Sequence, residues 1–384
     1  MRVLIAGGGT GGHLFPGIAL AEELVTRHHK NDVVFVGTER GLEARVVPAA
    51  GFKLETISAQ GLKGVGPLRF LKALFVLPRA FFQSWAILKR YKPDVVVGVG
   101  GYSSGPVVMA AWLQGIPTAL QEQNALPGIT NKILGRFVRT AFISFEEARR
   151  YFPARKVQLV GNPIRRALME NYLRSSVAHD KFTVLCFGGS QGARTINEKV
   201  TEALDHLGDL RSQLHFVHQT GKNSPEEIRR RYEEKGFSAE VLEFIDDMSK
   251  AYARAALVVC RAGATTLAEL TVCKKASILI PFPYAADDHQ AKNAQALVDA
   301  GAAVMIRESE LTAERLANEI RALVTDPERR RKMEKKAGLL GRPEAAKEVA
   351  DVMVQMMIDK WGPSGRPRTD KERDSIPPRA SASR

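Results

Sequence analysis

The feature that most constrains the fold is a short apolar run ending in closely spaced glycines near the N-terminus, VLIAGGGTGGH at residues 3–13. The apolar part predicts a buried strand. A helix follows at once, because apolar residues recur at helical spacing from Phe15 to Leu24. Glycines at such a turn let a bulky anion approach the backbone amides, and a helix N-terminus adds N–H donors and partial positive charge. The run therefore predicts a phosphate-binding turn.

The residue that follows these glycines is His13, and it has two interpretations. At the mouth of the turn a histidine can act as a general base, since imidazole changes protonation near neutral pH. It can equally cap the helix or pack locally. The stretch Gly7–Gly12 also matches G-x-G-x-x-G, which by itself predicts a dinucleotide site.

The strand and glycine-turn pattern occurs twice in the 384 residues, a length that suggests two domains. It restarts at Phe182–Phe187, which Gly188–Arg194 follows. Continuous apolar strands between helices predict parallel sheets covered on both faces, with ligands beyond the carboxyl ends of the strands. The turns Gly7–Gly12 and Gly98–Gly101 would share that edge with Gln121–Asn124. Further strands are predicted at residues 33–37, 95–101, 118–120, 141–143, 214–217, 241–244, 257–260 and 277–281.

Residues 68–90 interleave large apolar side chains with cations and contain no acid. The charges exclude a membrane-spanning helix, and an apolar patch ringed by cations is typical of a segment lying on an anionic leaflet. An amphipathic helix packed on its own domain, with its charges in solvent, is the commoner explanation of such a pattern. Pro78 is expected to divide two helical pieces or to open the second. The patch residues are Leu71, Lys72, Phe75, Arg79, Phe82 and Trp85.

Composition restricts the partners and the compartment. The net charge of +14 implies anionic partners, namely nucleic acid, an anionic membrane face or phosphorylated substrates. Three cysteines without a C-x-x-C or His/Cys cluster predict neither a disulfide framework nor a metal site, which fits a reducing cytosol. The N-terminal apolar run is too short for a signal peptide, and no stretch is long and charge-free enough to span a bilayer.

Two stretches of the second half carry polar side chains suited to a nucleotide sugar. In Arg261–Glu269, Thr265 and Thr266 at a predicted helix start can bind phosphate, and Glu269 can accept two hydrogen bonds from a ribose diol. An acid that merely complements the helix dipole is the simpler explanation of Glu269. In the second stretch, 281–293, Gln290 and Asn293 share a helix face, and their amides suit sugar hydroxyls.

The sequence offers no carboxylate pair for a diphosphate-bound metal. No D-x-D occurs, and the adjacent pairs Asp246-Asp247 and Asp287-Asp288 point to opposite sides of the chain. Arg165, helix N-termini and glycine-turn amides would meet the diphosphate charge instead. A last helix is predicted at 343–361 from its periodicity, followed by a disordered basic tail poor in apolar residues.

These motifs together resemble the MurG family, the bacterial UDP-N-acetylglucosamine transferases that make lipid II for peptidoglycan. The resemblance covers about residues 1–358. The blocks that carry it occur in the family's order: Gly7–His13, Gly100–Tyr102, Gln121–Asn124, Gly161–Arg165, Gly188–Arg194, Phe244–Met248, Cys260–Glu269 and Asp288–Asn293.

The resemblance implies an α/β GT-B glycosyltransferase fold, with two Rossmann-like domains whose parallel sheets face each other across a cleft. The domain over 1–162 would face acceptor and membrane, and the domain over 163–342 would bind UDP-GlcNAc. A helix over 343–361 would cross back to the first domain, leaving the tail 362–384. The implied reaction is inverting, metal-independent and cofactor-free transfer of GlcNAc to the C4 hydroxyl of MurNAc in undecaprenyl-diphospho-MurNAc-pentapeptide (lipid I).

Family roles carry over only to matching positions. His13 would be the catalytic base. The loop and cleft residues on the acceptor side would be Thr10, Gly11, Gly12 and Asn124. The donor contacts would be Arg165 and Ser190 at the diphosphate, Ile245 through its backbone at uracil, Thr266 at a phosphate, Glu269 at the ribose, and Gln290 with Asn293 at the GlcNAc hydroxyls.

The resemblance also implies the cellular partners. The 68–90 patch would bind the anionic inner leaflet, which predicts a peripheral protein at the cytoplasmic face of the bacterial inner membrane and no nucleic-acid partner. The sequence departs from the family at Ala262, where a serine is usual, and at Ala125–Gly128, which replaces a glycine-rich continuation.

Two other functions are weighed against this one. An NAD-dependent oxidoreductase would explain Gly7–Gly12, but Glu39 is only a weak candidate for its ribose acid, and the second glycine turn would have no role. A nucleic-acid binder would explain the charge, yet no nucleic-acid-binding motif is present.

Overall fold

The structure is a computed structural model that describes residues 1–59, 67–175, 181–189, 192–222 and 225–367, without the side chains of residues 67–76. These residues divide into two compact units. Unit 1 comprises Met1–Arg165 together with the chain from Glu344 onward, and unit 2 comprises Arg166–Pro343. The sequence analysis predicted the two domain boundaries after residues 162 and 342, whereas the boundaries of the units fall after Arg165 and Pro343.

The described part of unit 1 up to Arg165 alternates strands and helices. Its strands are β1 Arg2–Gly7, β2 Asp32–Gly37, β3 Lys53–Thr56, β4 Val95–Gly100, β5 Thr118–Glu122, β6 Thr140–Ile143 and β7 Val157–Leu159. Its helices are α1 Gly11–Arg27, α2 Glu43–Ala49, α3 Pro67–Tyr91, α4 Ser104–Leu113 and α5 Ile129–Leu134.

The sheet of unit 1 is parallel and has the strand order β3-β2-β1-β4-β5-β6-β7. The order reverses between β1 and β4, where Gly7 pairs with Gly100. Open parallel sheets bind ligands beside such a reversal, at the carboxyl ends of the strands. The prediction that the two glycine turns of unit 1 share one edge is therefore confirmed.

Unit 2 repeats this design. Its strands are β8 Phe182–Phe187, β9 Leu214–Gln219, β10 Ser238–Leu242, β11 Leu257–Cys260, β12 Ser277–Leu279 and β13 Val304–Met305. Its helices are α6 Arg166–Arg174, α7 Arg194–Ala203, α8 Pro225–Glu234, α9 Met248–Arg254, α10 Ala264–Val272, α11 His289–Asp299, α12 Ala313–Thr325 and α13 Pro327–Leu340.

The sheet of unit 2 is also parallel, in the order β10-β9-β8-β11-β12-β13. If β8 is counted as the first strand of unit 2, the order is 3-2-1-4-5-6, which is the order of the first six strands of unit 1. The reversal falls between β8 and β11, where Phe187 pairs with Cys260. Both units therefore have a doubly wound α/β fold, as the repeated strand and turn pattern predicts.

The last helix, α14 Ala345–Trp361, belongs to unit 1 and packs against α1. Its buried face includes Val349, Ala350 and Met353, which join a core shared with Val3 and Ile5. The following residues are tied down as well, because Trp361 Nε1 and Arg366 N donate to the backbone oxygen and the carboxylate of Asp94, at 3.0 and 2.6 Å. The predicted disordered tail lies outside the described residues from position 368 onward.

Pro78 does not divide the 68–90 segment, so this prediction is wrong. Helix α3 runs without interruption from Pro67 to Tyr91 with Pro78 inside it. A proline removes one backbone donor and crowds the preceding turn. Pro78 is exposed, and the turns that follow pack Ala80, Ile87 and Leu88 into the core of unit 1. This packing offsets the lost hydrogen bond.

Several strand limits differ from the sequence prediction. The short strands β3, β7 and β13 were not predicted, because they are brief or partly exposed and lack a buried apolar run. The strand predicted at 241–244 is β10, which ends at Leu242 and leaves Phe244 exposed. Gln121 and Glu122 lie inside β5 rather than after it.

The core of unit 2 contains a buried histidine whose environment excludes its charged form. His218 is fully buried, with Nδ1 3.0 Å from Tyr232 Oη and Nε2 3.1 Å from Asn197 Oδ1. Burial lowers the pKa of His218 to about 3. The unfolded chain therefore binds a proton at this residue below about pH 6.5 while the folded chain does not, so stability falls as pH falls.

We expect this linkage to remove about 2 kcal/mol from the free energy of unfolding between pH 7 and pH 5. Urea unfolding followed by circular dichroism at the two pH values measures it. His218→Gln should lose most of that pH difference, whereas His206→Gln at an exposed site should keep it. An undiminished pH difference in His218→Gln would contradict the assignment.

Candidate active site

The turn from β1 to α1 presents backbone amides at the switch point of unit 1. Gly9 has a φ of +87°, which favours glycine, and no atom lies within 4 Å of where its Cβ would be. Helix α1 then starts at Gly11 after Thr10, whose side chain forms no capping hydrogen bond. The first amides of α1 thus form an N-terminus of the kind that binds phosphate.

His13 lies where the two glycine turns of unit 1 meet. Its Nδ1 is 3.3 Å from Thr10 Oγ1. A Cβ atom on Gly100 would lie 2.7 Å from His13 Cδ2 and 3.0 Å from Nε2, so the imidazole occupies the space that a side chain there would need. A Cβ on Gly101 would likewise lie 2.4 Å from Gly8 O. Because Gly100 and Gly101 have no side chain, the imidazole of His13 and the backbone of the first turn can pack directly against the second turn.

Asn124 is oriented by an acid that the sequence analysis assigned no role. The carboxylate of Glu122 accepts hydrogen bonds from Asn124 N at 2.9 Å, Asn124 Nδ2 at 3.2 Å and Asn131 Nδ2 at 2.8 Å. Complete burial raises the pKa of Glu122, and these donors lower it in part. The predicted acceptor-side amide is thus part of a buried polar cluster.

Arg165 lies at the end of unit 1 and is exposed. Its guanidinium is 5.9 Å from the centroid of the Phe15 ring on α1. Burial raises the pKa of the nearby Glu22, and the positive charge of Arg165 opposes that rise. The guanidinium therefore lies over α1.

The first glycine turn of unit 2 packs against the end of β9. Gly192 has a φ of +74°, and a Cβ on it would lie 2.1 Å from Thr220 O. Gln219 joins this turn to the segment after β10, since its Nε2 donates to Gly189 O at 2.9 Å and its Oε1 accepts from Ile245 N at 3.1 Å. Ser190, a predicted diphosphate contact, lies outside the described residues.

The hydrogen bond to Gln219 limits the role implied for Ile245. Its backbone N–H is already donated within the protein. The backbone group that could read a base is therefore the carbonyl of Ile245. The sequence analysis missed Gln219, whose polar side chain at the end of a buried strand was the available signal.

Helix α10 starts beside the switch point of unit 2 and carries Thr266 and Glu269. Gly263 precedes it without a side-chain cap. Thr265 Oγ1 is buried, and no described residue forms a hydrogen bond with it. An uncapped helix start with a buried, unpartnered hydroxyl is suited to an anionic oxygen.

Glu269 is held by a buried tyrosine. Tyr252 Oη donates to Glu269 Oε2 at 2.8 Å. Burial, followed by the negative charge of Glu269, raises the pKa of Tyr252 well above its usual value, so the hydroxyl keeps its proton. The carboxylate is therefore fixed in orientation while remaining partly exposed. Sequence reasoning missed Tyr252, which looks like an ordinary core aromatic.

Gln290 and Asn293 lie on α11 but differ in accessibility. Gln290 is partly exposed, and its Oε1 accepts from Phe282 N at 3.0 Å. Asn293 is fully buried. Of the two predicted sugar contacts, only Gln290 is accessible to a ligand in this structure.

The structure was also searched for metal sites and membrane spans. No group of three or more His, Cys, Asp or Glu side chains among the described residues could hold a metal ion. No helix in the described part of the chain combines the length and hydropathy needed to cross a membrane.

Comparison with known proteins identifies two matching family models. The glycosyltransferase family 28 N-terminal domain matches residues 3–143, and the glycosyltransferase family 28 C-terminal domain matches residues 183–354. These spans run from within β1 to the end of β6 in unit 1, and they cover most of unit 2 with part of α14.

Curated relatives match over their whole length. A protein of Myxococcus xanthus is 72% identical over 382 residues, covering 100% of both chains, and one of Citrifermentans bemidjiense is 51% identical over 355 residues, covering 92% of this chain and 99% of the relative. Both are named UDP-N-acetylglucosamine--N-acetylmuramyl-(pentapeptide) pyrophosphoryl-undecaprenol N-acetylglucosamine transferase.

Solved structures agree with the fold. MurG of Acinetobacter baumannii is 32% identical with a TM-score of 0.77, covering 92% of this chain and 99% of that one. A UDP-GlcNAc 2-epimerase of Neisseria meningitidis is 15% identical with a TM-score of 0.66, covering 92% and 100%, and this likeness concerns the fold alone.

Proposed function

The chain belongs to glycosyltransferase family 28, and from that premise we propose that unit 1 binds the acceptor and unit 2 the nucleotide sugar. The protein has the GT-B fold. It is a hexosyltransferase that transfers GlcNAc from UDP-GlcNAc to lipid I, giving lipid II for peptidoglycan. A nicotinamide-dependent oxidoreductase finds no support among the matched families and relatives.

His13 is the residue best placed to activate the acceptor hydroxyl. It adjoins the amides at the start of α1, which can hold the acceptor diphosphate. When Nδ1–H donates to Thr10 Oγ1, Nε2 is the basic nitrogen. Nε2 would accept the proton of the MurNAc C4 hydroxyl as that oxygen attacks the anomeric carbon.

Unit 2 supplies the groups that suit UDP-GlcNAc. The uncapped start of α10, with Thr265 and Thr266, can stabilise the negative charge that the departing diphosphate gains, and such preorganised donors contribute about 3–4 kcal/mol each. Glu269, fixed by Tyr252, can accept from both ribose hydroxyls. Gln290 offers an amide to the sugar, and Ser190 would add a diphosphate contact, whereas Arg165, the other expected diphosphate contact, belongs to unit 1.

The proposed mechanism is a single displacement with inversion and without a metal. One oxygen–carbon bond forms as the bond from the anomeric carbon to the UDP oxygen breaks, and the proton leaves on His13. The observation that carries this proposal is the position of His13, where two glycine turns and a helix N-terminus converge.

The direct test measures UDP release from UDP-GlcNAc with and without a lipid I analogue. We expect release only when the acceptor is present. Binding of UDP-GlcNAc without any release would contradict the acceptor assignment, and absence of binding would contradict the donor assignment as well.

We further propose that unit 1 binds an anionic membrane surface through helices α3, α4 and α5. These helices contain no Asp or Glu, and α4 packs against the other two. Exposed cations lie on or beside them, namely Arg79, Lys89 and Arg136. Among the side chains that the structure describes on them, the exposed large apolar ones are Leu77, Phe82, Trp112, Leu113, Ile129 and Ile133.

The predicted patch residues contribute unequally to this surface. Phe82 is 69% exposed and Arg79 is exposed, whereas Trp85 is partly buried against the unit 1 core. The side chains of Leu71, Lys72 and Phe75 lie outside the described residues. The combination of apolar and cationic groups favours the inner leaflet at the cytoplasmic face of the membrane.

We expect Phe82→Ser to weaken binding to vesicles containing anionic lipid by at least about tenfold, because an aromatic side chain that inserts gains roughly 1.5–3 kcal/mol. Vesicle co-sedimentation measures the effect. Leu173→Ser removes an equally exposed apolar side chain from unit 2 and should leave binding unchanged. Equal losses in both variants, or none in Phe82→Ser, would contradict the proposed surface.

A further inference from the structure

A buried carboxylate supports the glycine turn of unit 1 from behind. Glu43 lies in the first turn of α2 and is 1% exposed. Its Oε2 accepts from Gly9 N at 2.8 Å. Its Oε1 accepts from Thr38 N and from Thr38 Oγ1, each at 2.8 Å. One side chain thus joins the turn after β1 to the loop after β2.

Three glycines provide the space for this carboxylate. A Cβ atom on Gly8 would lie 2.3 Å from Glu43 Cδ, and one on Gly41 would lie 2.1 Å from Oε2. A Cβ on Gly37 would lie 2.5 Å from Glu43 Cγ. The absence of a side chain at these three positions therefore leaves room for the carboxylate of Glu43, in addition to any role in the approach of a phosphate.

The charge of Glu43 is balanced by backbone and hydroxyl donors. Burial raises the pKa of Glu43, but hydrogen bonds from the amides of Gly9, Glu43 and Thr38 and from the Thr38 hydroxyl outweigh burial and lower it. The carboxylate is therefore ionised at neutral pH. The hydrogen bonds from Gly9 and Thr38 therefore hold the carboxylate in place.

An ionised acid behind an anion-binding turn does not assist the anion through its charge, because like charges repel. Its contribution must come from geometry. By taking the amide of Gly9, Glu43 turns that N–H away from the ligand side and fixes the backbone immediately before Thr10. The amides left to face an anion are those at the start of α1, beside His13.

We propose that Glu43 is the positioning residue that holds the Gly7–Gly12 turn in the conformation that binds the acceptor diphosphate. The inference rests on the proposed acceptor role of unit 1. Glutamine has the shape of glutamate but only one acceptor oxygen, and its amide nitrogen would face an N–H donor at Gly9 or Thr38. Glu43→Gln therefore breaks at least one of the hydrogen bonds that join Gly9 and Thr38 through this side chain, while changing its volume little.

The experiment compares Glu43→Gln with Glu39→Gln, which makes the same charge change at an exposed position in the loop between β2 and α2. We expect Glu43→Gln to raise the KM for a lipid I analogue by at least about tenfold, the loss typical of a hydrogen bond to a charged group. The dissociation constant for UDP-GlcNAc should not change. Amide hydrogen exchange of a peptide covering residues 7–14 should become faster without any ligand, and Glu39→Gln should match the unaltered chain throughout.

Thr10→Val separates failure of this inference from failure of the proposed acceptor site. If Thr10→Val raises the acceptor KM and Glu43→Gln does not, the inference is overturned and the site stands. If neither variant changes it, the acceptor site itself is wrong. Equal losses of acceptor and donor affinity in Glu43→Gln would also overturn the inference, because they indicate general destabilisation.

A second variant covers the case in which Glu43→Gln does not fold. Thr38→Val removes one of the donors to Oε1 and leaves the carboxylate in place. It should change the acceptor KM and the exchange of residues 7–14 in the same direction but by less. Unchanged values in Thr38→Val, with Glu43→Gln insoluble, would overturn the inference.

Discussion

Replacement of His13 by alanine is expected to lower kcat by about 10²–10⁴-fold, the range that general-base assistance supplies. The dissociation constant for UDP-GlcNAc should stay nearly unchanged, because the proposed donor contacts other than Arg165 all lie in unit 2. The acceptor KM should change little, since the amides at the start of α1 remain. Steady-state kinetics with a lipid I analogue, together with calorimetric titration of UDP-GlcNAc, measures the three quantities separately.

The matched control for this variant is His29→Ala, which removes an exposed imidazole beyond the other end of α1. It should leave kcat unchanged. In the unaltered chain kcat should also fall at low pH as the base becomes protonated, and that limb should be absent in His13→Ala. A large loss of UDP-GlcNAc affinity in His13→Ala would instead assign the imidazole to the donor site.

The sheets were predictable from the sequence because their strands are buried on both faces. A stretch such as Val95–Gly100 is apolar throughout and ends in glycines, so the strand and its turn are both visible. Strands at the sheet margins lack this pattern. β3 has no buried residue and β13 has only two residues, so their pairing depends on neighbouring strands that a sequence does not display.

The candidate site likewise has some residues that the sequence reveals and others that only the fold reveals. The glycine turn and His13 are adjacent in sequence, so their proximity could be predicted locally. Glu43 and Tyr252 act across 34 and 17 residues, on Gly9 and Glu269. In the sequence each has an ordinary explanation, as an acid in a first helical turn and as a core aromatic. Only the fold shows which polar atom each one meets.

Replacement of Glu269 by alanine is expected to raise the KM for UDP-GlcNAc by about 10- to 150-fold, because hydrogen bonds to a charged group contribute about 1.5–3 kcal/mol. The effect should appear in binding, with a smaller change in kcat, since the ribose lies away from the reacting carbon. Tyr252→Phe keeps the carboxylate and removes the hydroxyl that orients it. It should therefore raise the same KM by less.

Steady-state kinetics at varied UDP-GlcNAc concentration, with a saturating lipid I analogue, measures the KM for UDP-GlcNAc of Glu269→Ala and Tyr252→Phe. Glu314→Ala is the control, because it removes an exposed acid that does lie in the first turn of a unit 2 helix, α12. A carboxylate that only complements a helix dipole contributes about 0.3–1 kcal/mol to stability and nothing to nucleotide binding. An unchanged KM in Glu269→Ala would therefore remove Glu269 from the ribose site.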